Sequence, residues 1–258
     1  MSLKNNNLFN LKDKVAIVTG ASKGIGLAIS RGFAEFGAKV VISSRSQEAL
    51  ELAASDLQKE GLDVFAQACH VGDSNQRKVL VKKTIDEFGS IDILVNNAAI
   101  NPIQDSIQNF SSELFDKMLN VNLKAAFDLS NLCFPYLKAK KEGSIINISS
   151  VEGLKPSLGL GIYSVTKASL NMLTQVQAKE WGIYGIRSNA ICPGLIKTKF
   201  SSALWKNEQL MKHIKNQLPL GRAAEPIEIS GLAVYLASSA GSYSTGGIYT
   251  VDGGHMTI

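Results

Sequence analysis

Short apolar, β-branched runs alternate along this chain with longer stretches of helical periodicity, and no other feature narrows its fold so far. The runs are 15–18, 40–42, 64–66, 91–95, 145–148, 186–191 and 248–251. Most lack polar/apolar alternation, which suits strands covered on both faces, as in a parallel sheet. Helical periodicity falls at 24–36, 46–60, 74–88, 111–139, 163–181, 201–217 and 226–238. Strand–helix repetition of this kind implies right-handed βαβ crossovers, so the expected class is α/β. The expected architecture is one doubly wound, seven-stranded parallel sheet with helices on both faces. No linker or composition shift divides the 258 residues, so 1–258 is expected to be a single domain. The polar, Asn-rich residues 1–11 read as a flexible N-terminus. Segment 194–222 follows a Pro-Gly pair and carries Phe200, Leu204 and Trp205, which read as exposed; it is expected to be a lid over a cleft.

Composition excludes several classes. With 45% hydrophobic and 19% charged residues, the chain is not a disordered one. No apolar run approaches the roughly 18 residues of a membrane-spanning helix, and residues 1–10 do not resemble a secretory signal. Cys69, Cys133 and Cys192 are far apart and in apolar contexts, which argues against a disulfide framework or a zinc site. We therefore expect a cytoplasmic protein with no metal. The net charge of +5 is spread along the chain, without the stripe of a nucleic-acid binder. Neither nucleic acid nor membrane is an expected partner. The densest basic run, Lys138-Ala139-Lys140-Lys141, reads as an exposed helix end that complements the helix dipole.

The first strand runs into Thr19-Gly20-Ala21-Ser22-Lys23-Gly24-Ile25-Gly26, and helical periodicity starts at once. Three glycines at such a turn let the backbone approach a pyrophosphate, and the helix N-terminus offers free N–H groups. The spacing is G-x-x-x-G-x-G rather than G-x-G-x-x-G. The second strand ends Ile42-Ser43-Ser44-Arg45, with no carboxylate to hold the ribose 2′-hydroxyl of NAD. Arg45, with Lys23 in the glycine loop, favours a 2′-phosphate. NADP(H) is therefore expected in preference to NAD(H).

Tyr163 and Lys167 are four residues apart, on one face of a helix. A phenol with a pKa near 10 is a poor acid–base group at neutral pH. A neighbouring ammonium, helped by the positive charge of an oxidised nicotinamide, would stabilise its phenolate and is expected to bring that pKa down.

Together the ordered motifs closely resemble the short-chain dehydrogenase/reductase family over nearly the whole chain, from about Lys12 to Gly254. They are Thr19–Gly26, Asn96-Asn97-Ala98-Ala99, Asn122 in Asn120-Val121-Asn122, and Asn147-Ile148-Ser149-Ser150. Tyr163 with Lys167, then Pro193-Gly194-Leu195-Ile196-Lys197-Thr198 and Val251-Asp252-Gly253-Gly254, complete the set. The resemblance implies a Rossmann fold and a four-residue catalytic site. Tyr163 would be the general acid towards a carbonyl oxygen. Lys167 would tune Tyr163 and bind the nicotinamide ribose. Ser150, at the family's usual 13-residue separation from Tyr163, would hold the substrate oxygen. Asn122 would anchor a water that links Lys167 to solvent. The cofactor set it implies is Gly20, Ser22, Lys23, Gly24, Ile25, Gly26, Ser44, Arg45, His70, Val71, Asn96, Ala98, Tyr163, Lys167, Pro193, Gly194, Ile196 and Thr198.

Two positions depart from the family pattern. His70-Val71 replaces the usual aspartate–valine pair whose acid contacts the adenine amino group; a neutral imidazole accepts a hydrogen bond in only one tautomer. His70, His213 and His255 suggest no metal cluster. The second departure is Ala99, where glycine is commoner. Lining residues expected for the cleft are Ile100, Leu154, Leu158, Leu160, Phe200, Leu204 and Trp205, which suit a hydrophobic ketone or aldehyde. Residues 193–205, with Ser43-Ser44-Arg45, look like NADPH-dependent carbonyl and retinal reductases of the family. The terminal Met256-Thr257-Ile258 is unlike the peroxisomal tripeptide of some of them.

A 3-oxoacyl-[acyl-carrier-protein] or acyl-CoA reductase is the alternative. Lys138, Lys140 and Lys141 could help to dock an acidic carrier, although Tyr184 stands where such reductases often place an arginine. A sugar or polyol dehydrogenase and a non-catalytic dinucleotide-binding regulator are the remaining readings. The helices at 111–139 and 163–181 resemble those that pair across subunits in family homotetramers. Their stripe of Val165, Ala168, Met172 and Val176 would equally suit packing on the sheet.

Overall fold

The computed structural model describes residues 8–209, 211–212 and 218–257. Its strands are β1 (Val15–Thr19), β2 (Lys39–Ser43), β3 (Val64–Ala66), β4 (Ile93–Asn96), β5 (Ser144–Ile148), β6 (Arg187–Pro193) and β7 (Ile248–Val251). They form one seven-stranded sheet in the order β3-β2-β1-β4-β5-β6-β7, and every pairing is parallel. The order reverses between β1 and β4, so the connections leave a crevice at the C-terminal ends of these two strands. Such a switch point is where open α/β sheets bind ligands.

Both faces are covered, which explains the unbroken apolar runs. The helices are α1 (Gly24–Glu35), α2 (Gln47–Lys59), α3 (Ser74–Phe88), α4 (Ser112–Leu119), α5 (Ala125–Lys140), α6 (Gly161–Trp181), α7 (Ser202–Trp205) and α8 (Ile227–Ala237). Ala16, Val18, Val40 and Ile42 pack with Phe33 of α1, Leu50 of α2 and Ile229 of α8. Their neighbours Ile17 and Val41 point the other way, to Leu80 of α3 and Leu129 of α5. Each fully buried Leu, Ile or Phe contributes about 2 kcal/mol relative to exposure. Alternate residues of one strand therefore hold opposite helical layers. Cys69, Cys133 and Cys192 are free and buried. Among the described residues, no helix is long and apolar enough to cross a membrane.

The expected helix 111–139 is broken. A π turn, Asn120–Lys124, separates α4 from α5. Within it the Asn122 side chain turns to the peptide of Ile100, accepting from its N–H at 2.8 Å and donating to its carbonyl at 2.9 Å. Periodicity does not register one such wide turn, because π turns interrupt the helical ladder without ending it. The expected flexible start is also shorter than 1–11. Residues 1–7 lie outside the described residues, whereas Leu11 is fully buried and its N–H donates to the Phe36 carbonyl at 2.8 Å. Of the expected helix 201–217, the described part includes α7; positions 210 and 213–217, His213 among them, lie outside it.

Candidate active site

The glycine turn is shaped to admit a large group against its backbone. Gly20 and Gly24 have φ of +65° and +62°, in the left-handed region that favours glycine. Gly26 is held by space instead: a Cβ there would lie 2.5 Å from the Gly20 carbonyl oxygen. Asn97 ties the turn to β4, its Nδ2 donating to the carbonyls of Thr19 at 2.8 Å and Gly20 at 3.1 Å. Thr19 Oγ1 accepts from the N–H groups of Asn97 and Ala98. α2, α3 and α4 are each capped by a side chain, from Ser46, Asp73 and Ser111 respectively. α1 follows Lys23 with no side-chain cap, so its first N–H groups remain available to an anion. These features fit the pyrophosphate of a dinucleotide.

Beside the turn, Lys23 and Arg45 are exposed, Ser44 is half-buried, and neither cation has an ion-pair partner among the described residues. Val71 is buried. His70 Nδ1 accepts the N–H of Gly72 at 3.0 Å, which leaves the neutral ring its proton on Nε2. The imidazole thus presents a donor where an aspartate would present an acceptor. Asn96 Nδ2 donates to Asn147 Oδ1 at 2.9 Å and to Ser130 Oγ at 3.3 Å. A small cavity of about 10 Å³, room for roughly one water, brings Thr19, Val71, Asn96, Ala98 and Asn122 together.

The second half of the crevice is built on β5, α6 and β6. Ser149 and Ser150 follow β5, and only one of them faces the phenol. Ser149 Oγ donates to the Lys167 carbonyl at 3.1 Å. Ser150 Oγ accepts the Glu152 N–H at 3.1 Å and hydrogen-bonds the Tyr163 side chain. Lys167 Nζ lies 5.5 Å from the Tyr163 ring centroid and donates to the Ile148 carbonyl at 2.7 Å. Asn122 Nδ2 reaches Thr166 Oγ1 at 3.1 Å, so the π turn is fastened to the residue preceding Lys167.

The electrostatics correct one expectation. Burial holds the Tyr163 phenol well above the usual tyrosine range, against the Ser150 hydrogen bond, which lowers it. Burial also pushes Lys167 down to about 8. Desolvation disfavours both charged forms. In the protein alone burial prevails at the phenol, opposed by the Ser150 bond, and the ammonium is directed to a strand carbonyl.

Segment 194–222 is fastened at both ends. Gly194 N–H donates to the Val251 carbonyl at 3.0 Å, and a Cβ on Gly194 would sit 2.8 Å from Asp252 Cα. Pro193 is the buried end of β6. Ile196 is buried and bridges to Ala224, and Lys197 pairs with Glu225 at 2.6 Å. Thr198 lies against the glycine turn, 3.3 Å from the position of a Cβ on Gly24. Phe200 stands 6.0 Å from Tyr163, centroid to centroid, and is exposed. Leu204 and Trp205 are half-buried, not exposed as expected; the Trp205 indole N–H donates to the Thr198 carbonyl at 2.8 Å. Leu154 and Leu158 are exposed, and Ile100 packs near Tyr163. Ser22, Ile25 and Leu160 are half-buried.

The basic run at 138–141 lies beside the N-terminal end of β5, the end of the sheet away from Ser150. It precedes Ser144, and Ser144 to Ser150 spans roughly 20 Å at a strand's rise. Lys138 stacks 4.2 Å from the Tyr184 ring centroid, and Lys140 faces Asp92 at 3.9 Å. Among the described residues no group of His, Cys, Asp and Glu could hold a metal ion. Sequence reasoning missed Asn97 and Glu152. The motif Asn96-Asn97 was visible, but adjacent strand-end residues point to opposite sides, and nothing local says which side faces the turn.

A family model described as enoyl-(acyl carrier protein) reductase matches residues 20–256. Dehydrogenase/reductase SDR family member 4 of Homo sapiens is 41% identical over 244 residues, covering 95% of this chain and 88% of that protein. A tropinone reductase homologue of Arabidopsis thaliana is 39% identical over 247 residues, covering 95% and 93%. Among solved structures, a gluconate 5-dehydrogenase from Burkholderia cenocepacia, in complex with NADP and tartrate, superposes with a TM-score of 0.93. It is 31% identical and covers 98% of each chain.

Proposed function

The chain belongs to the short-chain dehydrogenase/reductase family of oxidoreductases, and on that premise we propose that it reduces a hydrophobic ketone or aldehyde to the alcohol with NADPH. The observation that carries this reading is the convergence of Ser150, Tyr163 and Lys167 beneath the apolar ring of Phe200. Gly20, Gly24, Gly26 and the uncapped start of α1 would hold the pyrophosphate, and Lys23, Ser44 and Arg45 the 2′-phosphate. His70 and Val71 would border the adenine; Ile196 and Thr198 would border the nicotinamide end. The reduced nicotinamide supplies the hydride when bound.

The residues of this chain supply proton and orientation. Ser150 accepts the Glu152 N–H with its oxygen, which leaves its own proton to hold a substrate carbonyl oxygen. Tyr163 donates the phenolic proton to that oxygen as carbon accepts the hydride. Burial favours the neutral phenol, the form a reductase needs. Lys167 steadies the phenolate left behind, and Asn122, fixed between Ile100 and Thr166, would anchor the water that returns the proton. The location is proposed as cytoplasmic. A homotetramer is the proposed assembly, because Val165, Met172 and Val176 are exposed rather than packed on the sheet. A monomeric sedimentation profile at micromolar concentration would exclude it.

A second reading, oxidation or reduction of a sugar acid, draws on the resemblance to the gluconate 5-dehydrogenase. The experiment is dinucleotide oxidation by the purified protein with NADPH or NADH and three probes: a hydrophobic α-diketone, a β-keto thioester and a keto sugar acid. Fastest turnover of the diketone with NADPH is expected. A faster keto sugar acid favours the second reading, a faster thioester the acyl reductase, and activity with NADH alone overturns the role of Arg45.

A further inference from the structure

Thirteen-residue separation alone does not hold Ser150 opposite Tyr163; the intervening loop must be folded back. One carboxylate does much of this. Glu152 Oε2 accepts the Ser157 N–H at 2.8 Å and Oε1 accepts the Ser157 hydroxyl at 2.7 Å. The Ser164 hydroxyl, on the residue after Tyr163, lies 3.2 Å from Oε2 and shares its proton with the Leu160 carbonyl at 2.9 Å. The other end of the loop is fixed by backbone. Asn171 Nδ2 donates to the Gly153 carbonyl at 3.2 Å, and a Cβ on Gly153 would lie 2.7 Å from the Lys167 carbonyl carbon.

We propose that Glu152 is a positioning residue that sets both the placement of Ser150 against Tyr163 and the charge beside the phenol. This rests on the reading of Tyr163 as the proton donor. Among the described residues, the groups that act on the phenol are Glu152 in the 3₁₀ turn Val151–Gly153, Ser150 at its N-cap, and Cys192 from β6. Lys167 stands over its ring from α6. Phe200 adds only an apolar ring. After burial and the opposing Ser150 bond, the Glu152 carboxylate pushes the phenol up, while burial keeps the Cys192 thiol neutral. Three donors hold the Glu152 carboxylate in place, so its charge is a fixed feature of the site. It favours the protonated phenol, and therefore carbonyl reduction over alcohol oxidation.

Two substitutions separate the charge from the clamp. Glu152→Gln keeps an acceptor for Ser157 and removes the charge. Glu152→Ala removes both. In reduction of a hydrophobic α-diketone, the rate falls at high pH as Lys167, pushed down to about 8, and then Tyr163 lose their protons. Glu152→Gln should move that falling limb to lower pH, with KM within about twofold. Glu152→Ala should show the same shift, a roughly tenfold higher KM, and faster hydrogen exchange at the Ser157 amide, a readout independent of turnover. An unshifted limb in both variants overturns the charge role, and unchanged exchange and KM in Glu152→Ala overturn the clamp. Tyr163→Phe is the reference. If it retains turnover, the reading of the site itself fails, whereas an inactive Tyr163→Phe beside an unshifted Glu152→Gln rejects the Glu152 charge alone.

Discussion

The two halves of the crevice are made of different material. From Gly20 to Gly26 the protein presents backbone: positive φ angles, bare N–H groups and the absence of Cβ atoms. From Ser150 to Lys167 it presents side-chain chemistry, with a hydroxyl, a phenol and an ammonium fixed by Ile148, Glu152 and Asn122. Adding atoms should damage the first half and removing them the second. Each half fails in the way the other tolerates.

The largest effect should come from removing a single oxygen. Tyr163→Phe keeps the ring that packs with Ile162 and faces Phe200 but deletes the proton donor. Turnover should fall about 10³-fold, within the usual range for a lost general acid, while NADPH fluorescence titration reports unchanged binding. Loss of less than tenfold would break the division between the halves. Next comes an added methyl. Gly26→Ala would place Cβ 2.5 Å from the Gly20 carbonyl oxygen and 2.6 Å from Asn97 Nδ2, so the turn must open. We expect NADPH affinity to weaken on the order of 100-fold, with about 1–3 kcal/mol of lost stability. Gly231→Ala, at an exposed position of α8, meets nothing within 4 Å and should leave binding intact, stabilising the helix by up to about 1 kcal/mol.

The same contrast explains what the sequence disclosed. The central strands stood out as apolar runs because both faces of the sheet are buried there, and the glycine turn was visible because its geometry demands glycine itself. Ser150, Tyr163 and Lys167 were legible because chemistry fixes residue types at set spacings. Supporting contacts were harder to see. Asn97, Glu152 and the π turn around Asn122 depend on partners 78, 5 and 22 residues away, and local periodicity carries no trace of them. The electrostatics were misread for a related reason. Spacing shows that Lys167 lies one turn from Tyr163, but not that its ammonium reaches the Ile148 carbonyl or that both groups are buried.

Burial of Lys167 leaves a signature in stability. Its pKa, near 10.5 in the unfolded chain, is pushed down to about 8 in the fold. Between these values the unfolded state binds more protons, so stability from this group rises with pH. Below about 8 the buried ammonium carries its full penalty. Relative to Lys167→Met, which titrates at neither value, the wild type should gain on the order of 2 kcal/mol between pH 8 and pH 10. Urea unfolding at each pH measures the difference. Tyr163, raised by burial, acts in the opposite sense only above its unfolded value near 10, and it does so in both proteins. A flat difference would mean that Lys167 is hydrated, and the side-chain half of the crevice less closed than its hydrogen bonds imply.

The smallest effect should arise at the opposite end of the strands. Lys138 and Lys140 face Tyr184 and Asp92, roughly 20 Å along β5 from Ser150, beyond the Debye length of about 8 Å at physiological salt. Their charges are too distant and too screened to guide an acidic carrier to the catalytic mouth. Replacing both by alanine should cost at most about 1 kcal/mol of stability, chiefly the cation–π contact of Lys138. The kcat/KM for a carrier-linked β-keto thioester should stay within about twofold of wild type. The free thioester supplies the internal control. A tenfold loss confined to the carrier-linked form would mean that a protein substrate reaches along the strands to this end, and the acyl reductase reading would regain the docking surface that the geometry denies it.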